Sequence, residues 1–431
     1  MICSNITVNP QGILCFAGAD TTALAAKYGT PLYLMDEDRI RSNCRVYKQA
    51  MKEHFGDNAL PLYASKAASF KRMYEIVSQE GMGIDVVSSG EIYTVLKAGA
   101  SLENAYFHSN NKTDADIEYA IDNGIGYFVV DNVEEVNAIQ SIAASKGVVQ
   151  KILLRLTPGI DTHTYEAVNT GKVDSKFGSA IPTGQAEQIV RHTLECANIE
   201  LCGFHCHIGS QVFDSDTFLR GSDIMLDFIA DIKAKTGFIT KQLDLGGGYG
   251  VRYTENDPHI DIADNIRQVA ESVKSKCSAL DIEIPKILME PGRSIAADAG
   301  MTLYTVGTIK TIPGYKNYVS IDGGMTDNPR YALYRSAYTV YIANKMNETA
   351  DFKCSLVGRC CESGDIIQEN ITLPKPVRGD IAAVCTTGAY NFSMSSNYNR
   401  LTTPAVVMIS QGNDYVAVKR QTLEHLTAND V

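Results

Sequence analysis

The sequence predicts an α/β protein in which a (β/α)8 TIM-type barrel is joined to a C-terminal all-β domain that also takes in the N-terminal segment. Two observations support this. Short apolar runs alternate with segments of helical periodicity over most of the 431-residue chain. After about residue 296 the runs become rich in Val, Ile, Tyr and Thr and are broken by Gly, Pro and Asn. We therefore expect a barrel at residues 37–296 and a β-domain at residues 1–36 and 297–431.

Eight apolar runs predict the strands of the barrel. Segments such as Phe70–Glu80, Val133–Ala144 and Phe218–Lys235 lie between them and have helical periodicity. The runs are Leu60–Ala64, Gly83–Val87, Ala105–His108, Gly126–Val130, Lys151–Leu156, Leu201–His205, Gln242–Leu245 and Lys286–Met289. Such alternation indicates a parallel sheet, which is either closed as a barrel or open and doubly wound.

The positions of the unusual residues favour the closed barrel. They lie at or just beyond the carboxyl end of a run, which is the face where barrel enzymes carry their chemistry. They are Lys66, Asp85, His108, Asp131, Arg155, His207, Gly246–Gly248 and Glu290. At Lys66 an apolar run delivers a single ammonium group to the end of a strand, which is typical of a lysine that forms a Schiff base.

The β-domain is predicted from six later runs with high strand propensity. They are Thr302–Ile309, Tyr318–Ile321, Tyr338–Ala343, Phe352–Val357, Ile381–Thr386 and Ala405–Ser410. We find no internal repeat, low-complexity tract or long linker in the sequence.

Composition narrows the class of function. The net charge of −11 argues against a nucleic-acid partner, because phosphate binding needs clustered cations. No apolar run reaches membrane-spanning length, and the N-terminus lacks the pattern of a signal peptide, so no membrane partner is expected. The 11 cysteines are scattered without the spacing of a disulfide framework, which fits reduced thiols in a cytoplasm.

A glycine-rich turn, Gly246–Gly250, follows the strand-like run Gln242–Leu245. Glycines let backbone N–H groups approach an anion closely, so the turn is a candidate phosphate site. A dinucleotide-binding fold is a poor alternative because the spacing is not G-x-G-x-x-G. An ordinary tight turn remains an alternative.

The segment Glu290-Pro291-Gly292-Arg293 is a stronger signal. A carboxylate at the end of a barrel strand can hydrogen-bond a protonated pyridine nitrogen and keep the ring electron-withdrawing. Arg293 offers a forked donor set for a phosphate or a carboxylate. The alternative is a surface turn with an incidental ion pair.

Two histidines and a cysteine complete the candidates. His207 is suited to stack on an aromatic cofactor, whereas His205 is interpreted as an interior histidine. The pair could instead bind a metal, but no third ligand at suggestive spacing supports this, and no metal is expected. Cys361, near a cationic cofactor, could donate a proton, although most cysteines are inert and Cys360 is interpreted as a packing residue.

Together these segments resemble the fold-type III pyridoxal-phosphate decarboxylases, the alanine-racemase-like barrel family. The resemblance extends from Tyr63 to Asn399, and the order and number of the motifs make it specific. The motifs are Tyr63–Ala67, Asn110–Lys112, Thr170-Gly171 through Ser175–Gly178, His207–Gln211, Gly246–Gly248, Glu290–Arg293, Cys361–Asp365 and Gly388–Tyr390. One local departure is His108-Ser109, because relatives usually show a glycine before Asn-Asn-Lys.

The resemblance implies a role for each matching residue. Lys66 would bind pyridoxal 5′-phosphate covalently, and Cys361 would be the general acid. The other cofactor-binding residues would be Asp85, Arg155, His207, Ser210, Gly246, Gly247, Gly248, Glu290, Pro291, Gly292, Arg293 and Tyr390. The substrate would contact Arg293, Arg330, Tyr334, Glu362 and Tyr390.

The resemblance also implies an activity. It is closest to family members that convert meso-2,6-diaminopimelate to L-lysine and CO2, the last step of bacterial lysine synthesis. Arg330 and Glu362 would take the carboxylate and the ammonium at the unreacted end of the substrate, and Cys361 would come from the second subunit of a homodimer. The alternative is a sister decarboxylase of ornithine, lysine, arginine or carboxynorspermidine. An alanine racemase would place an arginine at the pyridine nitrogen, and a non-catalytic carrier would have lost Cys361 or the β-domain.

Overall fold

The computed structural model describes residues 1–160 and 173–431, which form two compact units. The barrel unit comprises Asn43–Gly250 and His259–Gly292. The sheet unit comprises Met1–Ser42, Val251–Pro258 and Arg293–Val431. The division of the chain at residues 37 and 297 stays a prediction. Thr170 and Gly171, which belong to one of the motifs, lie outside the described residues.

Strands occur throughout the described part of the chain. In chain order they are β1 (Ile6–Val8), β2 (Leu14–Phe16), β3 (Ala19–Asp20), β4 (Leu32–Asp36), β5 (Ala59–Ala64), β6 (Gly83–Val86), β7 (Ala105–Phe107), β8 (Tyr127–Val130), β9 (Gln150–Thr157), β10 (Ser179–Ala180), β11 (Ile199–His205), β12 (Gln242–Asp244), β13 (Lys286–Met289), β14 (Gly300–Ile312), β15 (Lys316–Ile321), β16 (Val340–Ile342), β17 (Phe352–Val357), β18 (Ile366–Leu373), β19 (Ile381–Cys385), β20 (Ala405–Ser410) and β21 (Asn413–Val418).

Helices separate most of the strands of the barrel unit, and a few shorter ones lie in the sheet unit. In chain order the helices of the described residues are α1 (Thr21–Tyr28), α2 (Glu37–Phe55), α3 (Lys71–Gln79), α4 (Ser89–Lys97), α5 (Asp114–Asp122), α6 (Val133–Lys146), α7 (Gln185–Leu194), α8 (Ser215–Thr236), α9 (Ile262–Ala279), α10 (Arg293–Ala296), α11 (Arg330–Tyr334) and α12 (Leu423–Thr427). None of the helices in the described ranges is both long and apolar enough to cross a lipid bilayer.

The barrel unit contains a closed parallel sheet. Strands β9, β11, β12, β13, β5, β6, β7 and β8 are hydrogen-bonded in that order, and β8 pairs with β9 to close the ring. The closing register joins Phe128 to Ile152 and Val130 to Leu154. The predicted (β/α)8 barrel is therefore confirmed, and the open doubly wound sheet is excluded.

Large apolar side chains fill the middle of the barrel. The inner cluster takes one residue from each of six strands. It consists of Leu62, Tyr106, Val129, Leu153, Cys202 and Leu288. Tyr106 stacks on Tyr127 with ring centroids 4.4 Å apart and donates a hydrogen bond to Gln242 Oε1. The barrel is thus a packed core, and polar side chains are left for the strand ends.

Local sequence signals set the helix ends behind the strands. Asn132 caps α6 by accepting a hydrogen bond from Glu135 N, and Thr113 and Asp116 form a capping box on α5. Gly147 ends α6 in the left-handed conformation. Side-chain caps satisfy backbone N–H groups that have no partner within the helix. The starts of α5 and α6, behind β7 and β8, are therefore fixed by their own side chains.

The sheet unit is built around the long strand β14. This strand pairs antiparallel with β4, β15 and β19, and the sheet continues to β18 on one side and to β21 on the other. The N-terminal strands β1, β2 and β3 form a small sheet whose Leu14 and Phe16 are fully buried with Leu303 and Val407. The predicted all-β domain that takes in the N-terminal segment is therefore confirmed.

Candidate active site

Lys66 stands at the carboxyl end of β5, in the 3-10 turn Ser65–Ala67. Its two neighbours are buried while its own side chain is exposed, so the turn presents one amine outward from an apolar base. Ala64 N donates a hydrogen bond to Pro291 O at 3.1 Å, which ties this strand end to the segment that follows β13. Because β5 and β13 pair in parallel, Lys66 and Glu290 leave the sheet at the same edge.

Glu290 lies in a buried polar cluster. His108 Nε2 is 2.7 Å from Glu290 Oε1, and His205 Nε2 is 3.3 Å from Glu290 Oε2. His108 Nε2 also lies 3.8 Å from Asp85 Oδ1. Asp244, at the end of β12, joins the same cluster. All five side chains are buried, so the ends of β6, β7, β11, β12 and β13 bring their polar groups together out of water.

Burial and close contacts fix the protonation of this cluster. Burial opposes ionisation of Glu290, but the contacts with His108 and His205 outweigh it and hold the pKa of Glu290 well below its usual range. Burial, together with the charge of Glu290, raises the pKa of Asp244 well above its usual range. Burial lowers the pKa of His205 to about 4, so its ring is neutral at pH 7. One carboxylate is therefore ionised beside one carboxyl that keeps its proton.

The same donor set has the composition of a metal site. His108, His205, Asp244 and Glu290 each offer one atom, and these atoms lie within 4.8 Å of one another. Two donors on a tetrahedral zinc ion are held about 3.3 Å apart by bonds of about 2.0–2.1 Å. The separation of 2.7 Å between His108 and Glu290 is shorter and is that of a direct polar contact. The geometry therefore favours mutual contact over a bridging ion.

His207 and the glycine turn contact each other. Gly247 N donates a hydrogen bond to His207 Nδ1 at 3.2 Å, so this nitrogen acts as an acceptor. Burial first, and then the charges of Lys66 and Arg155, hold the pKa of His207 well below its usual range. The imidazole is therefore neutral, as a ring that stacks on an aromatic group should be.

The glycines of the turn are required by close backbone packing. A Cβ on Gly247 would lie 2.1 Å from Glu290 O, and Gly248 has a φ of 118°. A side chain at Gly247 would displace the segment that carries Glu290, and a Cβ on Gly248 would lie 2.3 Å from Gly209 O. Gly247 thus serves the geometry of the Glu290 cluster.

Arg155 and the segment Ser175–Gly178 meet at the end of β9. The Arg155 guanidinium lies 4.4 Å from the centre of the Phe177 ring. Gly178 N donates to Asp131 Oδ2 at 2.7 Å, and Thr157 Oγ1 donates to Phe177 O at 2.6 Å. Part of this sequence motif therefore anchors the loop after β9.

The Asn-Asn-Lys motif has a structural role in the described chain. Lys112 Nζ is buried and donates to Val129 O, Ser109 O and Glu135 Oε1 at 2.8, 3.1 and 2.5 Å. These three bonds use all its hydrogens. Ser109 has a φ of 124°, a conformation that glycine adopts most easily. This explains why a glycine is usual at that position in relatives.

In the sheet unit, two buried arginines share a group of tyrosines. Arg293 Nη1 donates to Tyr253 OH at 2.6 Å, and the Arg293 guanidinium lies 4.8 Å from the Tyr390 ring centre. Arg330 Nη1 donates to Tyr338 OH at 2.9 Å and lies over the Tyr253 ring at 4.9 Å. Although burial opposes ionisation of Tyr253, the two guanidiniums lower its pKa. The group is cationic and suited to an anion.

The loop Cys360–Asp365 is anchored by one buried carboxylate. Asp365 accepts backbone hydrogen bonds from Met325 N at 2.6 Å and from Cys360 N at 2.7 Å. Cys361 and Glu362 between these anchors are exposed. Cys361 N donates to Asn399 Oδ1 at 2.7 Å, and Tyr398 OH donates to Glu362 Oε2 at 3.4 Å. The backbone of the loop is held while its reactive side chains face outward.

The structure thus gathers the predicted residues into groups. Asp85, Arg155, His207, Gly246–Gly248 and Glu290 lie at one edge of the barrel, and electrostatic interactions join Lys66 to Asp85 and His207. Ser210 is half-buried and follows His207 by three residues, and Pro291 and Gly292 are buried after Glu290. Arg293, Arg330 and Tyr390 form the second group, and Tyr334 is half-buried at the end of α11.

Sequence reasoning missed four contributors to these groups. It placed His108 at a strand end without giving it a role, gave His205 no role beyond the interior, and did not weigh Asp244 or Tyr253. Asp244 reaches Glu290 because β12 pairs with β13, whereas His108 follows β7, which lies three strands away from β13 in the barrel. Their position at strand ends was the available signal.

The fold and this edge of the barrel define a cofactor-dependent class of enzyme. The family model "Pyridoxal-dependent decarboxylase, pyridoxal binding domain" matches residues 37–297, and the chain belongs to this family.

Two curated relatives and one solved structure are similar to this chain over nearly its whole length. The chain is 44% identical to the diaminopimelate decarboxylase of Bacillus methanolicus, with 96% of each chain covered. It is 42% identical to the diaminopimelate decarboxylase of Bacillus subtilis (strain 168), with 98% of this chain and 96% of the relative covered. The crystal structure of diaminopimelate decarboxylase from M. jannaschii in complex with L-lysine has a TM-score of 0.91 and 30% identity, and covers 99% of this chain and 98% of that one.

Proposed function

We propose that this protein uses pyridoxal 5′-phosphate to decarboxylate meso-2,6-diaminopimelate to L-lysine and CO2. The observation that carries the proposal is the ionised, buried Glu290 at the strand end beside the one that carries Lys66. The relatives named diaminopimelate decarboxylase support the choice of substrate. The reaction is the last step of lysine synthesis, and we place it in the cytoplasm.

The residues at the barrel edge fit the cofactor. Glu290 Oε1 and Asp85 Oδ1 are buried and accept no hydrogen bond of regular geometry within the described ranges, so they can still receive an N–H group. The bound cofactor supplies an electron sink for the bond to the departing carboxylate. We assign Lys66 to its covalent attachment, Glu290 to its ring nitrogen and His207 to its ring face. We also assign Asp85, Arg155, Pro291 and Gly292 to its surroundings.

For the phosphate we propose backbone and hydroxyl donors. In the barrel unit, Gly248 carries a backbone N–H group and Ser210 a hydroxyl that can donate to the phosphate. Gly246 and Gly247, whose N–H groups already donate to Asp244 Oδ1 and His207 Nδ1, keep the turn free of side chains. In the sheet unit, Arg293 and Tyr390 are the corresponding candidates, and their contact at 4.8 Å orients the guanidinium. Arg293 and Tyr390 also remain candidates for substrate contact.

Diaminopimelate carries an amino-carboxylate at each end, so selectivity requires groups for the end that does not react. We assign the distal carboxylate to Arg330, whose guanidinium is buried among tyrosines, and the distal ammonium to Glu362. Tyr334 is a further candidate on the same short helix as Arg330. A substrate without the distal carboxylate would leave the buried Arg330 guanidinium without this partner, and such a loss lowers kcat/KM by about 10⁴-fold relative to the matching substrate.

We assign to Cys361 the final step, in which the substrate carbon receives a proton. When the bond to the carboxylate breaks, its electron pair stays on the substrate carbon, CO2 leaves, and the carbon takes a proton from Cys361 Sγ. A thiol with this task should be shielded from water, yet Cys361 is exposed in the single chain. We therefore propose a homodimer in which each subunit supplies Cys361 to its partner.

The substrate is tested by CO2 release. The purified, cofactor-loaded protein is incubated separately with meso-diaminopimelate, ornithine and lysine. We expect CO2 and L-lysine in equal amounts from diaminopimelate, and little CO2 from the other two. Faster release from ornithine or lysine would replace this proposal with the sister activity.

Shared sites are tested by mixing two inactive variants, Lys66→Ala and Cys361→Ala. Random exchange of subunits should restore about a quarter of the normal activity, because half of the dimers then hold one intact site of two. No recovery after demonstrated exchange would place both residues in the same subunit.

A further inference from the structure

Both oxygens of the Glu290 carboxylate lie against imidazole rings. His108 Nε2 is 2.7 Å from Oε1, and His205 Nε2 is 3.3 Å from Oε2. The two rings meet edge to face, with centroids 4.9 Å apart at an interplanar angle of 74°. His205 is fully buried and His108 is 6% exposed, so neither ring can turn to water for a partner. Two strand ends thus fix the orientation of one carboxylate.

The remaining charges around Glu290 make this arrangement necessary. Asp85 is a buried acid whose negative charge opposes one on Glu290, while Arg155 attracts that charge from the end of β9. Without donors, a buried carboxylate in such surroundings takes up a proton. The alternative proton site is already filled, because Asp244 keeps its proton and accepts Gly246 N at Oδ1 at 2.8 Å. The contacts with the two imidazoles are therefore the largest of the interactions that keep Glu290 ionised.

We propose that His108 and His205 are positioning residues that keep Glu290 ionised and aimed at the ring nitrogen of the cofactor. The inference rests on the proposed function and deepens it. His108 and His205 touch Glu290, and Glu290 is the one of the three that would contact the cofactor ring. A neutral Glu290 could not hold a proton on the ring nitrogen, and the ring would then withdraw electrons less strongly.

The chain offers variants that separate this role from a purely structural one. His108→Leu removes the polar contact and keeps an apolar volume. His108→Gln places an amide N–H near the position of Nε2 and should rescue the contact. His205→Leu tests the second oxygen. His192→Leu is the control, because this histidine is exposed and contacts Asn137.

The test is nitrogen-15 NMR of the protein loaded with ring-labelled cofactor, combined with titration of cofactor affinity. In the unaltered protein the labelled nitrogen should show the shift of a protonated pyridine. In His108→Leu and His205→Leu the signal should move toward the neutral ring, and the dissociation constant of the cofactor should rise about 10-fold. His108→Gln and His192→Leu should match the unaltered protein.

An unchanged nitrogen signal in both leucine variants would overturn the proposal. If one of the two leucine variants fails to fold, the nitrogen signal of the other leucine variant decides the test. Failure of the proposed function gives a different result, because the unaltered protein would then release no CO2 from diaminopimelate. The positioning role alone would be refuted if the unaltered protein had a protonated ring nitrogen and released CO2 normally, but neither leucine variant changed the nitrogen signal.

Discussion

The two units of this molecule prepare reactive groups in opposite ways. In the barrel unit, Glu290 is buried and its ionisation is fixed by histidines of the same chain. In the sheet unit, Cys361 and Glu362 are exposed, and only their backbone is anchored, through Asp365. The comparison teaches that one chain can fix the charge of a buried group by its own contacts, while the groups that we assign to the substrate lie on an exposed loop.

The change with the largest expected effect removes the amine of the barrel unit. Lys66→Ala should lower kcat/KM by about 10⁴-fold or more, because the covalent attachment to the cofactor is lost. The visible absorbance band of the bound cofactor should disappear, while circular dichroism stays unchanged. Lys112 is the contrast to Lys66 within the same unit, because all three hydrogens of its ammonium group are used in structural hydrogen bonds. A retained band in Lys66→Ala would assign the cofactor to another lysine.

The next largest effect separates two adjacent thiols of the sheet unit. Cys361→Ala should lower kcat by about 10²–10⁴-fold, the usual contribution of a general acid, and should leave the absorbance band in place. Cys360→Ala is the matched control and should have little effect, because burial, followed by Asp365, raises the pKa of Cys360 to about 12. Equal loss in both variants would mean that the loop, not the Cys361 thiol, is needed.

A smaller effect concerns the choice of substrate. Glu362→Gln keeps the shape of the side chain and removes its charge, so kcat/KM for diaminopimelate should fall by about 10²-fold with unchanged affinity for the cofactor. The measurement is steady-state kinetics beside a cofactor titration. Parallel losses of kcat/KM and of cofactor affinity would show that Glu362 supports the fold.

The smallest expected effect is on stability and tests the anchor of the exposed loop. Asp365→Asn leaves one of two backbone N–H groups without its acceptor and should cost about 1–3 kcal/mol in the free energy of unfolding. Urea denaturation measures this cost. Ser363→Ala, at an exposed position of the same loop, should change it by less than about 0.5 kcal/mol. Equal changes in the free energy of unfolding for the two variants would mean that Asp365 does not anchor the loop.

The same contrast explains what the sequence could predict. All eight barrel strands were expected because buried parallel strands are apolar runs. Strands β18 and β21 were not predicted, because they are the edge strands of their sheet and carry polar residues such as Glu369 and Asn413. The contact between His108 and Glu290 joins residues far apart in sequence, so no local pattern could indicate it.

The central claim is that Lys66 and Glu290 bind opposite ends of one cofactor ring. The most direct test is a crystal structure of the protein loaded with pyridoxal 5′-phosphate. We predict a covalent bond from Lys66 Nζ to the cofactor and a Glu290 oxygen within about 3 Å of the ring nitrogen. A ring nitrogen that faces water or an arginine, with Glu290 contacting only His108 and His205, would contradict the account.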